Sequence, residues 1–143
     1  MQIALSEARA AARAQEVPVG AVLVDAHGRV LARAHNGTRR LNDPTAHAEC
    51  LVLRAAAAAR GAARLDDCDL YVTLEPCAMC AGAIAEARVR RLYYGAADEK
   101  RGAVEHGVRL FAQPSCHHAP EVYGGLEERA AQDLLREFFR TRR

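Results

Sequence analysis

Apolar and polar positions along this chain follow two periods, and the switches between them mark out its elements. Ile3, Leu5, Ala8, Ala11 and Ala12 fall on one helical side with charges between them, so the pattern predicts a helix over Ile3–Ala14. Val17–Val24 is a short apolar run rich in β-branched residues and reads as a buried strand. Asp25–Gly28 is a turn, and Arg29–His35 resumes the apolar pattern as an antiparallel partner. A polar loop, Asn36–Thr45, leads to a helix over Ala46–Arg60 with Thr45 as its cap. Asp69–Leu74 is a second buried strand. Pro76 then opens a helix that runs to Ala87, in a first turn where its missing N–H costs nothing. Val89–Tyr94 is a third core strand, ended by Gly95; Asp98–Pro120 reads as loop and Glu127–Arg140 as a closing helix. Strands alternating with helices predict an α/β fold with a mixed sheet covered by helices. Sites in such layers gather at strand C-terminal ends and helix N-termini.

Length and composition narrow the class. The chain has 143 residues, which suits a single domain over 1–143 with one core. Half of the residues are apolar and 27% are charged, the balance of a soluble globular protein. The 31 alanines and 19 arginines against one lysine raise helix propensity almost everywhere, so Ala-rich runs carry little further meaning. No apolar stretch is long enough for a membrane span. Charges spread through Met1–Val17 exclude the apolar stretch of a secretory signal, so the expected compartment is the cytoplasm. Five cysteines there point to metal binding or free thiols rather than disulfides. The net charge is +2, and the basic excess sits at the end, in Arg136, Arg140, Arg142 and Arg143. Such a cluster can complement a helix dipole or meet a polyanion.

Two short stretches carry chemistry, His47-Ala48-Glu49 and Pro76-Cys77-Ala78-Met79-Cys80. Each opens a predicted helix. Cys77 and Cys80 stand three residues apart, on one helical face. Positive potential at a helix start favours the thiolates that a metal needs. With His47 as third ligand they would hold a tetrahedral zinc with one position open, the catalytic pattern. Cys50 is the close candidate for a fourth, structural ligand, and it is expected to pack in the core instead. Glu49 could take the proton of a metal-activated water. His47 and Glu49 lie about 200° apart on a regular helix, so both reach one site only if His47 stands where the backbone is still entering. A lone C-x-x-C is equally structural or redox in meaning. Combined with H-x-E at a second helix start, it matches the general zinc nucleobase-deaminase signature.

The chain resembles the cytidine deaminase-like superfamily and, within it, the bacterial tRNA-specific adenosine deaminases. The resemblance rests on Glu16–Val24, Asp43–Glu49, Leu70–Ala83, Asp98-Glu99-Lys100 and Phe138-Phe139-Arg140 with Arg142-Arg143. It implies a three-layer α/β/α fold around a five-stranded mixed sheet, and a homodimer. It further implies Zn2+ on His47, Cys77 and Cys80, Glu49 as proton shuttle, and conversion of adenosine to inosine at the wobble position of a tRNA anticodon stem-loop. Asn36 falls where the family places a side chain that hydrogen-bonds the flipped base. Backbone groups near Ala48 and Pro76 are further candidates to orient that base. Arg140, Arg142 and Arg143, with Arg39 and Arg40, are candidates for phosphate contacts. Phe138 reads as core, whereas Phe139 is either core or pocket lining. Asp98 and Lys100 could reach the substrate backbone or form a solvated pair. Cys116, His117 and His118 have no visible partner ligands and are given no role. The alternatives are a deaminase of a free base or nucleoside, such as guanine or cytosine, and an inert binding module, against which Glu49 argues.

Overall fold

The computed structural model describes residues 1–142. Its elements are α1 (Gln2–Arg13), β1 (Gly20–Val24), β2 (Val30–His35), α2 (Ala48–Arg60), β3 (Asp69–Leu74), α3 (Ala78–Ala87), β4 (Arg91–Ala96), β5 (Glu121–Tyr123) and α4 (Glu128–Arg140). The strands form one five-stranded sheet in the order β2-β1-β3-β4-β5. β1 runs antiparallel to β2 and β3, whereas β3, β4 and β5 are parallel. Helices α2 and α3 pack together on one face of the sheet, and α1 and α4 lie on the other. This is the expected three-layer α/β/α arrangement, with a mixed sheet. None of these helices is long and apolar enough to cross a membrane.

The larger core lies under α2 and α3. Leu23, Val52, Leu70, Val72, Ile84 and Leu92 have essentially no exposed surface there. Burying each such side chain stabilises the fold by about 1.5–3 kcal/mol before entropy is counted. α1 contributes Ala4, Leu5, Ala8 and Ala11 to the opposite face.

Three boundaries differ from the pattern, each for a local reason. α2 begins at Ala48 with His47 as its cap, not at Ala46 behind Thr45. Asp43 ties up the preceding residues: its carboxylate accepts the Thr45 N–H at 2.8 Å and the Thr45 hydroxyl at 2.7 Å. The Ala46 carbonyl accepts from Gly37. Pro76 stands before α3 rather than within it, because its carbonyl accepts the Ala103 N–H at 2.9 Å and Cys77 bridges Gly102. Gly95 lies inside β4 instead of ending it. A Cβ there would come within 2.7 Å of the Thr73 carbonyl and 3.1 Å of Ala131, so glycine lets α4 lie close on the strand.

Candidate active site

α2 and α3 both start at the same corner, beside the C-terminal end of β3. Their cap residues are His47 and Cys77, each in extended backbone. That conformation resolves the spacing problem of His47 and Glu49. His47 lies outside the helical turn, so its ring and the Glu49 carboxylate line one cavity. Asn36, at the end of β2, and Cys77 also line it.

The donor set has the spacing of a zinc site. His47 Nδ1 lies 3.7 Å from Cys77 Sγ and 3.4 Å from Cys80 Sγ. Zn–S bonds near 2.3 Å and Zn–N bonds near 2.0 Å at a tetrahedral angle require edges of about 3.5 Å. The three donor atoms all lie within 4.8 Å of one another and form the one such group among the described residues. The residues fit zinc. Cys50 is buried and its sulfur lies 3.9 Å from Cys80 Sγ, outside the three-donor group. Three donors beside a cavity are the arrangement of a catalytic zinc, and four those of a structural one.

The electrostatics suit a cation. The Cys77 thiol is pulled down to about 3 by its hydrogen bond with Cys80 and by the His47 ring. Hydrogen bonding to Cys77 raises His47 toward the imidazolium form. Cys80 is pushed well up by its contacts with Cys50 and Cys77. Metal ligation takes thiolates and a neutral imidazole, so zinc binding to this set would release protons. Burial raises the Glu49 carboxyl to about 6. An acid-base group in that range can both take and return a proton near neutral pH.

The cavity measures about 180 Å³. Sites for drug-sized ligands run to roughly 300–1,000 Å³, so this one suits a single flat ring rather than a whole nucleotide. Val17, Val19 and Leu74 supply apolar walls, and Asp98 and Arg101 stand at its loop side. Of the candidates read from sequence, Asn36, His47, Glu49, Cys77 and Asp98 line the cavity. Ala48 and Pro76 are buried and add no side chain to the lining. Phe138 is buried and Phe139 is 47% exposed. Arg140 is paired with Glu137 at 2.7 Å, and Arg142 lies 3.6 Å above the Phe138 ring. Arg143 lies outside the described residues. Cys116 and His118 bond to backbone, the thiol to the nearby His118 carbonyl and the ring to the Val89 carbonyl.

Sequence reasoning missed Glu75, whose side chain is fully buried at the cavity. Its two oxygens accept the backbone N–H groups of Asp98, Val104, Glu105 and His106 at 3.0–3.1 Å. The His106 ring adds a contact at 2.8 Å. Burial alone would raise the Glu75 carboxyl, but these donors hold it below its ordinary value. The signal available in sequence was its place beside Pro76, directly before the paired cysteines.

Comparison with known proteins separates the members of this chemistry. The family described as "Cytidine and deoxycytidylate deaminase zinc-binding region" matches residues 1–96. A tRNA-specific adenosine deaminase from Agrobacterium fabrum is 62% identical over 143 residues, covering 100% of this chain and 93% of that protein. A solved structure from work on A-to-I editing by tRNA:A34 deaminases at the wobble position of transfer RNA superposes with TM-score 0.93. It is 62% identical and covers 94% of this chain and 97% of its own. A guanine deaminase from Nitrosomonas europaea superposes with TM-score 0.78 at 26% identity, covering 96% of this chain and 81% of its own.

Proposed function

Since the chain belongs to the zinc-binding cytidine and deoxycytidylate deaminase family, and within it to the tRNA-specific adenosine deaminases, we propose that its cavity takes the wobble adenine of a tRNA anticodon and converts adenosine to inosine. The full-length identity of 62% carries this reading. Three metal donors beside one carboxylate would serve any amino-substituted ring.

His47, Cys77 and Cys80 would hold a zinc ion. When bound, zinc supplies a water that is nucleophilic near neutral pH. Glu49 moves the protons. It takes one from the attacking water and gives it to adenine N1 as oxygen bonds to C6. It then takes the remaining proton from the C6 hydroxyl and delivers it to the exocyclic amine as the C6=O bond forms and the C6–N bond breaks, so water is consumed and ammonia leaves. Its burial supports this role, because a desolvated carboxylate near pH 6 is matched to both transfers. Asn36 bonds the base at the cavity wall, and the backbone N–H groups of Ala48 and of Cys77, the residue after Pro76, orient it at the two helix starts.

An anticodon loop is already single-stranded, so extruding one base into a cavity of this size costs only a few kcal/mol. Arg39 and Arg40, exposed in the loop after Asn36, and Arg140, Arg142 and Arg143 bind the flanking phosphates. Exposed Phe139 offers a face for stacking a neighbouring base. The enzyme acts in the cytoplasm as a homodimer. Support for dimerisation comes from exposed Met79 on α3, which shares a face with Gly82 and Ala83, and from exposed Val108 in the loop beside that helix.

The test offers purified protein an anticodon stem-loop with wobble adenosine, beside free guanine, adenosine and cytidine. Inosine forms in the stem-loop and the free compounds stay unchanged. Turnover of guanine with an inert stem-loop would replace this reading with its rival on the same scaffold.

A further inference from the structure

Glu16 is buried to 1% exposure, yet no cation pairs with it among the described residues. Gln15 takes a left-handed conformation (φ 61°) at the end of α1, and the Glu16 N–H folds back on the Ala11 carbonyl. The chain thereby turns the Glu16 carboxylate toward the residues that follow β2. Oε1 accepts the Arg40 N–H at 2.7 Å, and Oε2 accepts the Arg39 N–H at 3.3 Å and Asn36 Nδ2 at 3.4 Å. Asn36 is itself 7% exposed and lines the cavity.

A side-chain amide presents a donor end and an acceptor end of nearly the same shape. Turning it over exchanges what a base would meet. A carboxylate only accepts, so the amide nitrogen of Asn36, not its oxygen, must face Glu16. A glutamine at position 16 could still accept one of the loop's two N–H groups, with no charge to desolvate. What the carboxylate adds is an acceptor on both oxygens, and this fixes the direction of Asn36. We propose that Glu16 is a positioning residue for purine recognition: it locks the Asn36 amide in one orientation and so sets the hydrogen-bond pattern shown to the adenine. The inference rests on the deaminase reading of the site and deepens it.

The experiment is a double-mutant cycle of Glu16→Gln and Asn36→Ala on the zinc-loaded protein, read as kcat/KM on the wobble-adenosine stem-loop. Each single change lowers kcat/KM at least tenfold with zinc content held at one ion per chain. The double variant lies within twofold of Asn36→Ala alone, because Glu16 acts through Asn36. Effects that multiply would overturn the proposal and leave Glu16 as an anchor of the loop backbone. A measurement on unmutated protein stands if Glu16→Gln does not accumulate as folded enzyme. One side-chain amide proton of Asn36 exchanges with solvent at least tenfold more slowly than those of exposed Asn42, and equal rates refute the lock. Should the wild type leave the stem-loop untouched and deaminate guanine, the tRNA reading falls. The same cycle run on guanine still decides the role of Glu16.

Discussion

Removing the Glu75 carboxylate is the sharpest perturbation of the cavity that leaves the metal donors untouched. In Glu75→Ala, four backbone N–H groups, those of Asp98, Val104, Glu105 and His106, lose their acceptor together. A hydrogen bond to a charged group contributes about 1.5–3 kcal/mol, and such terms do not add within one network. Glu105 is exposed, so part of the loop can turn to water. The net loss is therefore about 3 kcal/mol, well inside the ~5–15 kcal/mol of a stable domain, and the variant folds. The loss is local. Gly102 packs so closely on Glu75 that a Cβ would meet its carboxylate at 2.6 Å, so the loop is built around this one group. Native-state hydrogen exchange of the Val104, Glu105 and His106 amides reads it directly. About 3 kcal/mol corresponds to roughly a hundredfold loss of protection. Because Asp98 and Arg101 of this loop line the cavity, KM for the stem-loop rises more than kcat falls. The pH dependence has a fixed sign. The folded-state pKa of Glu75 lies below its ordinary 4.5, so its stabilisation is present above that pH and is lost as pH falls through the folded value. Glu75→Gln lacks this acid limb. Equal protection of the three amides in wild type and Glu75→Ala would refute the whole argument.

The metal and the polyanion contacts give further outcomes. Glu49→Ala retains one zinc per chain by elemental analysis and loses about 10²–10⁴-fold in kcat; undiminished turnover removes Glu49 from proton transfer. Cys80→Ser lowers zinc content and activity in parallel, whereas Cys50→Ser leaves both within twofold, since its sulfur stands outside the three-donor group. Equal loss from both changes would make the site a four-ligand structural one. Chelation of the wild type abolishes deamination, and added zinc restores it. Deleting residues 140–143 weakens stem-loop binding and flattens the slope of log K against log salt by about 2–3. An unchanged slope returns these arginines to helix-end complementation.

Much of this molecule was legible because its information is local. Four strands and four helices follow from the apolar periods, and the pairing of H-x-E with P-C-x-x-C by itself points two helix starts at one place. β5 was not legible from the pattern: Glu121–Tyr123 is an edge strand with two exposed residues and no apolar run. α2 and α3 each start two residues later than the pattern predicts because side-chain and backbone bonds from Asp43 and Ala103 hold the approaches extended. Those small shifts place His47 and Cys77 in cap positions, where their side chains can meet a metal. The tasks of Glu16 and Glu75 are hidden from the pattern for a different reason. Their partners are mostly backbone N–H groups 23–31 residues away, and a backbone donor has no residue type for a pattern to detect. The two carboxylates nonetheless have parallel tasks. Glu16 ties down the loop that carries Asn36 and Thr38, and Glu75 ties down the loop that carries Asp98 and Arg101. Each gives most of its acceptor capacity to main-chain N–H groups, which fixes the shape of the cavity wall. Glu49 is another buried carboxylate and lines the same cavity, and burial raises it to about 6, whereas the main-chain donors of Glu75 hold that group below its ordinary value. Main-chain donors thus make an anchor of Glu75, and a buried acid with its pKa raised is suited to the proton transfer proposed for Glu49.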